Sequence, residues 1–515
     1  MAGRFGVEKK ILWPATFLSL LVLTGSLLVA GFYFDLSWDG QWYQQAAVYN
    51  LAETWNPLFK PMETPDGINH TSILHFPKNT WYFAAAAMRL FNTVEAGKAY
   101  NLMILVVAFG VVYSFCRSLG ISALRSVIFT MLVLLNPVVW SEITTYLNDG
   151  DLYLLLVIYL SAILSWIRDP KRVYTLLSTM AICCLVNVKF TGLVFILIIS
   201  FFIFCYILIR KRNLIKSFLI SHLIAGTIAL CIFGFNPYVT NFINRGNPLY
   251  PLMGSKQFPG VLDKGIDDNE AYETPKNMMG KSLPVRLLYA NFGYPGNAPY
   301  NGEDTARLTN PFLIDPKSWS AYHFHETRVS GFGPYFGILL MLAFITLPVL
   351  LITLKTSRLP VAIFFISLCS CLLLSKHFWW PRFFPMLWLV PLLPLLLLWI
   401  DRDRFIISSG KLRVFINNFA WVFVVVIGIN GFIVAVVHLK WETTSSINLR
   451  NELQNIHDTQ RSIAIDYGYF KRATEEKLDR WNIQYEPILL EKDTTAKKLT
   501  SVVNGYPNQI LYKFK

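Results

Sequence analysis

Two aspartates four residues apart, Asp35 and Asp39, stand in YFDLSWDGQWYQQAAVYNLAETWN (33–56), directly after the first long apolar run. Trp38, Trp42, Ala46 and Tyr49 recur there at i, i+4, i+8 and i+11, the spacing of one helix face, here expected to lie on a membrane. A carboxylate ringed by Trp and Tyr at a bilayer surface is suited to handling a polar substrate, because aromatic rings stack on sugars. The same Asp39 could do no more than complement a helix N-terminus. A second acidic pair, Asp149 and Asp151, lies in Asn148-Asp149-Gly150-Asp151. These residue types cap helices. As a D-x-D pair they could instead hold a divalent cation such as Mg²⁺ or Mn²⁺, or orient an acceptor. His323 and His325, spaced to point the same way on a strand, are a conceivable metal pair with no third ligand evident. Glu326 and Arg328 follow them directly, ahead of GFGP. Lys189 is a lone cation between two apolar runs; it either snorkels to the surface or faces a cavity. Arg245, Lys376 and Arg382 complete the set of isolated cations beside apolar segments.

These groups have to be positioned by membrane helices. Of the 515 residues, 54% are hydrophobic and only 15% charged, well short of the roughly 25% charged residues usual in soluble domains. That excludes disordered, collagenous and disulfide-scaffold classes. The seven cysteines lie in apolar or near-apolar stretches and read as small buried hydrophobes. A span needs about 20 mostly apolar residues. Eleven segments are expected to cross: 11–32, 98–116, 126–140, 151–167, 173–187, 190–209, 214–235, 334–354, 359–375, 381–400 and 415–437. The formal charge of +14 is expected to mark cytoplasmic loops, not nucleic-acid binding. Placing the N-terminus inside gathers Arg4, Lys9, Lys10, Arg117, Arg125, Arg168, Lys171, Arg172, Arg210, Lys211, Arg212, Lys355, Arg358, Arg402 and Arg404 on one side. The loops 33–97 and 236–333 and the tail then lie outside. Trp38, Trp42, Trp55, Trp81, Trp140, Trp379 and Trp380 are expected to form an aromatic belt at the outer surface. Asn69-His70-Thr71 in the first outer loop is a glycosylation sequon, meaningful only in a eukaryotic source. The expected fold is an all-α polytopic membrane protein with interfacial helices in its first outer loop, one of them over 81–92. Residues 1–437 form the membrane domain and 438–515 a small outer α/β domain, with strands at 461–466 and 509–514 and a helix at 469–481.

A first span followed by an outer loop with an acidic residue and two interfacial helices resembles the GT-C superfamily of membrane glycosyltransferases. That superfamily includes protein O-mannosyltransferases, the aminoarabinose transferase of lipid A and the catalytic subunit of oligosaccharyltransferase. The resemblance rests on WDGQWYQQAAVYNLAETWNP, NPYVTNFINRGNPLYP (236–251), GFGPYFG (331–337) and WWPRFFP (379–385), in that order, and covers roughly residues 11–400 in layout. It implies transfer of a hexose or pentose from a polyprenyl-phosphate donor to a lipid, glycan or protein acceptor on the outer face of, for a bacterium, the inner membrane. It implies that the first-loop carboxylate is catalytic: Asp39 by motif position, with Asp35 second. It makes Arg382 or Lys376 a clamp on the lipid phosphate, because guanidinium matches phosphate oxygens in a bidentate fashion. Lys189, Arg245 and Arg328 complete the pool of phosphate-binding groups. Asp149, Asp151 and His325 would sit near the acceptor or a metal. Metal need stays open, since many members of the superfamily require none.

Two rival readings remain. A lipid-linked-saccharide polymerase or ligase would use Arg and His in long outer loops without an essential first-loop Asp. A transporter would place polar residues at mid-span and break paired helices with Gly or Pro. Here the charges gather at the outer ends of the apolar segments, as interfacial chemistry requires.

Overall fold

The protein is described here by a computed structural model that covers residues 9–60, 62, 70–261, 273–297, 304–310, 312–313, 315–353, 358–400, 410–490, 493–500 and 509–515. Asn69 of the sequon lies outside these residues.

Among the described residues, six helices are long and apolar enough to cross a membrane: Trp13–Phe32, Val94–Ser118, Asp149–Arg168, Phe190–Arg210, Arg212–Phe233 and Asn418–Asp458. Five shorter apolar helices, Ala123–Leu134, Arg172–Val188, Phe336–Ile352, Leu359–Leu372 and Pro385–Ile400, fall on the remaining expected spans. The chain is therefore an integral membrane protein. Its outermost helices turn large apolar side chains outward, among them Phe17, Leu21, Phe201, Leu223 and Phe432. On helices of this length, such a surface suits contact with lipid. The Asp149–Arg168 helix is different: it is apolar nearly all round and buried along almost its whole length, from Leu152 to Ile167. A helix of that kind belongs at the centre of a bundle.

The first loop carries helices where they were expected, Gln45–Glu53 and Asn79–Phe91, with shorter helical segments at Gly40–Gln44 and His70–His75. The two longer helices pack on each other through Ala46, Ala47, Tyr49, Trp81, Ala84 and Ala85. One expectation needs correction. Trp38 and Trp42 do not lie on the membrane; they pack against the core of the C-terminal domain, with the Trp38 ring edge-on to Phe470 at 5.0 Å. Trp55, Trp81, Trp379 and Trp380 are likewise buried inside protein. The periodicity marked a covered face correctly, but protein covers it.

The last apolar segment opens a single helix, Gly410–Asp458, of 49 residues. At 1.5 Å per residue it is about 74 Å long, more than twice a bilayer core. The division at 437/438 thus falls inside this helix, which runs on to meet the C-terminal sheet. That sheet has the order β2-β1-β4-β3, with β1 Ile463–Asp466, β2 Tyr485–Pro487, β3 Lys497–Lys498 and β4 Leu511–Phe514. β1 runs parallel to β2 and antiparallel to β4, and the helix Lys471–Arg480 provides the crossover. Leu449, Leu453 and Ile456 of the long helix share a core with Ile463, Ile465 and Phe470, and with Phe34 and Leu36 of the first loop. The domain therefore buttresses the segment that carries Asp39.

Candidate active site

Each charged group of the site is held by a local device. Asn136 caps the short helix Pro137–Glu142, accepting from Val138 N–H at 3.0 Å, with Pro137 in the first turn where its missing N–H costs nothing. Glu142 at the end of that helix accepts from Gly150 N–H at 2.7 Å. This fixes the first turn of Asp149–Arg168, where Asp149 and Asp151 face a favourable helix dipole. Asn148 Nδ2 donates to Val188 O at 3.0 Å, which brings Lys189 beside Asp149. Lys189 itself has extended backbone and separates two helices. Asn136 Nδ2 also donates to Pro385 O at 3.0 Å, anchoring the turn that carries Arg382.

The result is one cluster. Arg382 donates Nε to Asp149 Oδ2 at 2.7 Å and pairs through Nη1 with Glu326 Oε1 at 2.5 Å and through Nη2 with Asp39 Oδ2. Lys189 pairs with the other oxygen of Asp149. Four elements distant in sequence thus meet on one guanidinium. The carboxylates differ in access: the Asp149 side chain is 0% exposed, Glu326 7% and Asp39 21%. Burial, opposed by Arg382, pushes the Glu326 carboxyl above its ordinary range; burial and the nearby Asp149 push Glu142 well above it. Asp39 is the acid of the cluster that an entering molecule can reach.

Asp35 occupies a different position. It is fully buried, and its oxygens accept from Ser37 N–H at 2.8 Å, Ser37 Oγ at 2.7 Å and Tyr146 N–H at 3.0 Å. It staples the first loop to the segment before Asp149. Gly40 allows this, since a Cβ there would lie 1.9 Å from Asp35 Oδ2. Asp151 is buried in the first turn of the same helix as Asp149, with Oδ2 unpartnered among the described residues. Both oxygens of Asp149 face cations, Lys189 on one and Arg382 on the other.

Arg328 stacks over Trp380 at 4.2 Å, and Trp380 also lies 5.6 Å from Arg382, so Arg328 borders the cluster, where its charge acts on Glu326. Arg245 lies over Phe258 and Tyr250 in its own loop, at 4.6 and 5.5 Å. Lys376 is exposed on the turn before Trp379. His325 turns away from the cluster toward Glu442. His323, its expected companion, contacts Ser320 O instead.

Sequence reasoning assigned no role to Glu326 or Glu142, and it missed Lys78. Lys78 is buried, donates to Leu74 O at 2.9 Å and Phe76 O at 2.7 Å, and lies 5.4 Å from the Trp55 ring and 5.8 Å from that of Trp81. Burial holds its ammonium well below the usual lysine range. Tyr43 bridges this lysine's aromatic cage to the cluster: its ring meets Trp81 and Phe76, and Asp39 and Arg382 act on its hydroxyl. The signal for Lys78 was present in HFPKNTW, a lysine among aromatics, but nothing in the spacing says that it turns inward.

No protein-family profile matches the sequence, and no curated protein does. Solved structures do match. The structure of ArnT from Cupriavidus metallidurans in the apo state superposes with a TM-score of 0.50 at 10% identity, covering 98% of each chain. The same protein bound to undecaprenyl phosphate gives 0.39 at 12% identity, over 97% of this chain and 98% of that one. The first comparison shows a common fold over 98% of each chain, a polytopic helical architecture as expected from the apolar segments.

Proposed function

We propose that the protein is a membrane glycosyltransferase that moves a sugar, with inversion, from a polyprenyl-phosphate donor to an acceptor at the extracytoplasmic face. The observation that carries this reading is Arg382 held by three carboxylates, of which only Asp39 is open, on a fold shared with ArnT.

The chemistry follows from charge. The acceptor hydroxyl lies against Asp39, which takes its proton as general base. The acceptor oxygen bonds to the anomeric carbon as the bond from that carbon to the phosphate oxygen breaks, through an oxocarbenium-like transition state. The polyprenyl phosphate leaves with the bonding pair and needs no general acid, only positive groups to stabilise it. Arg382 and Lys189 are those groups, with Arg328 beside them. Without donor, Arg382 is shared among Asp39, Asp149 and Glu326. An arriving phosphate competes for the same guanidinium edge. The buried Asp149 stays bonded, and Asp39 is released toward the acceptor. Donor binding thereby prepares the base.

The test is to incubate the purified protein with radiolabelled polyprenyl-phosphate sugars and candidate acceptors, with and without a chelator. Label moving from donor to acceptor supports the reading. Transfer only between lipid-linked saccharides and independent of Asp39 points to a polymerase or ligase, and hydrolysis alone would contradict the transferase reading. The chelator arm decides whether a divalent ion has a part.

A further inference from the structure

Behind the arginine cluster, on the far side of Glu326, lies a second group of side chains that the transfer chemistry does not use. His325, His438 and Glu442 are all buried, and one ligand atom from each lies within 4.8 Å of the others. His438 and Glu442 are one helical turn apart on the long helix Gly410–Asp458, and so share a face. His325 arrives from the loop. Its Nε2 is 3.2 Å from Glu442 Oε2.

A hydrogen bond between His325 and Glu442 explains only that contact. Both ring nitrogens of His438 and Oε1 of Glu442 are buried without a hydrogen-bond partner among the described residues. The His323 backbone and the Thr144 side chain approach them without reaching hydrogen-bond geometry. Unpaired buried polar atoms of this kind are costly and call for an explanation, of which an ion is one.

We infer that His325, His438 and Glu442 bind a zinc ion that clips the Glu326 loop to the last membrane helix. Two imidazoles and a carboxylate are a zinc donor set, with bonds of about 2.0–2.2 Å in tetrahedral geometry. Neighbouring ligand atoms on such a centre are about 3.3 Å apart, close to the separation of His325 Nε2 and Glu442 Oε2. The role is positional. His325 precedes Glu326, which pairs with Arg382, and one small cavity is lined by His325, Glu326, Arg382, Glu142 and Val434. Zinc on His325 fixes the loop that aims Glu326. This site does not depend on the glycosyltransferase reading, because it can be tested without substrate.

The experiment uses the full-length protein, purified in detergent through a histidine-free tag, equilibrated with zinc and dialysed. Elemental analysis is expected to find about one zinc ion per chain. Glu442→Gln and His438→Asn should reduce this to background, while Asp39→Asn keeps it. Should those two variants fail to fold, Co²⁺ titration of the wild type reads the same site: saturable tetrahedral absorption bands at one equivalent, displaced by zinc, are expected. Wild type without stoichiometric zinc, a folded His438→Asn that keeps its zinc, or Co²⁺ without tetrahedral bands would each overturn the inference.

Discussion

Arg382 donates its Nε to Asp149 at 2.7 Å across 233 residues of sequence, while Lys189 holds the other oxygen of the same carboxylate. Asp149 is thereby a fixed post to which both cations are tied, and Asp39 and Glu326 share what remains of the guanidinium. The arrangement yields specific expectations.

Arg382→Lys keeps one charge but cannot present three nitrogens to three carboxylates. Transfer is expected to fall by about 10²–10³, the usual loss on removing a well-placed group that stabilises a developing anion. Arg382→Ala leaves buried acids uncompensated and should cost about 3–5 kcal/mol of stability. Steady-state transfer assays and denaturant melts separate the two effects. An Arg382→Lys variant with unchanged donor kinetics would shift the clamp to Lys189 and Arg328.

Gly40→Ala places a methyl group 1.9 Å from Asp35 Oδ2. The Asp35 staple must move, at a cost of about 1–3 kcal/mol, and Asp39 moves with it. Gly25→Ala, with nothing within 4 Å of the new carbon, is the control. Thermal melts should separate the two, and equal melts would show that the staple yields freely.

Burial, opposed by Arg328, pushes Glu273 up to about 7. An acid whose folded pKa lies above its unfolded one binds more protons when folded. Its contribution is therefore present below the ordinary glutamate range and is lost as pH rises to about 7. Glu273→Gln should flatten the fall in Tm across roughly pH 4.5–7. An unchanged slope would show that Glu273 does not titrate in this window.

Much of the layout was legible in the sequence for a simple reason: apolar runs and charge asymmetry are local signals. The eleven apolar segments, the short helices of the first loop, and the strands at 463–466 and 511–514 are all read from windows of a few residues. Asp39, Asp149, Lys189 and Arg382 could be singled out because each is a charge at the end of an apolar segment. Their meeting could not be read, since pairs separated by 233 and 343 residues leave no local trace. The same holds for His325, whose partners His438 and Glu442 lie on a helix that looked like membrane span and linker. The Trp38 and Trp42 face was misread because amphipathicity reports that a face is covered, never by what.

Topology is the next expectation. Cysteine accessibility should place residues in 33–97, 236–333 and 459–515 on the extracytoplasmic side, following the Lys and Arg clustering in the other loops. A cytoplasmic C-terminus would put the Asp39 region on the inner face, because the C-terminal domain packs directly on Phe34, Leu36 and Trp38.

The most direct test of the account is the turnover of Asp39→Asn beside Asp35→Asn in purified, folded protein with donor and acceptor supplied. Asparagine keeps the size of Asp39 but cannot take a proton. Turnover by Asp39→Asn should fall by about 10²–10⁴, with donor binding retained, because the side chain competes with the phosphate for Arg382 and does not hold it. Asp35→Asn should act through stability, losing melting temperature while the folded fraction still turns over. Near-normal transfer by Asp39→Asn would contradict the account and remove the first-loop base from the mechanism.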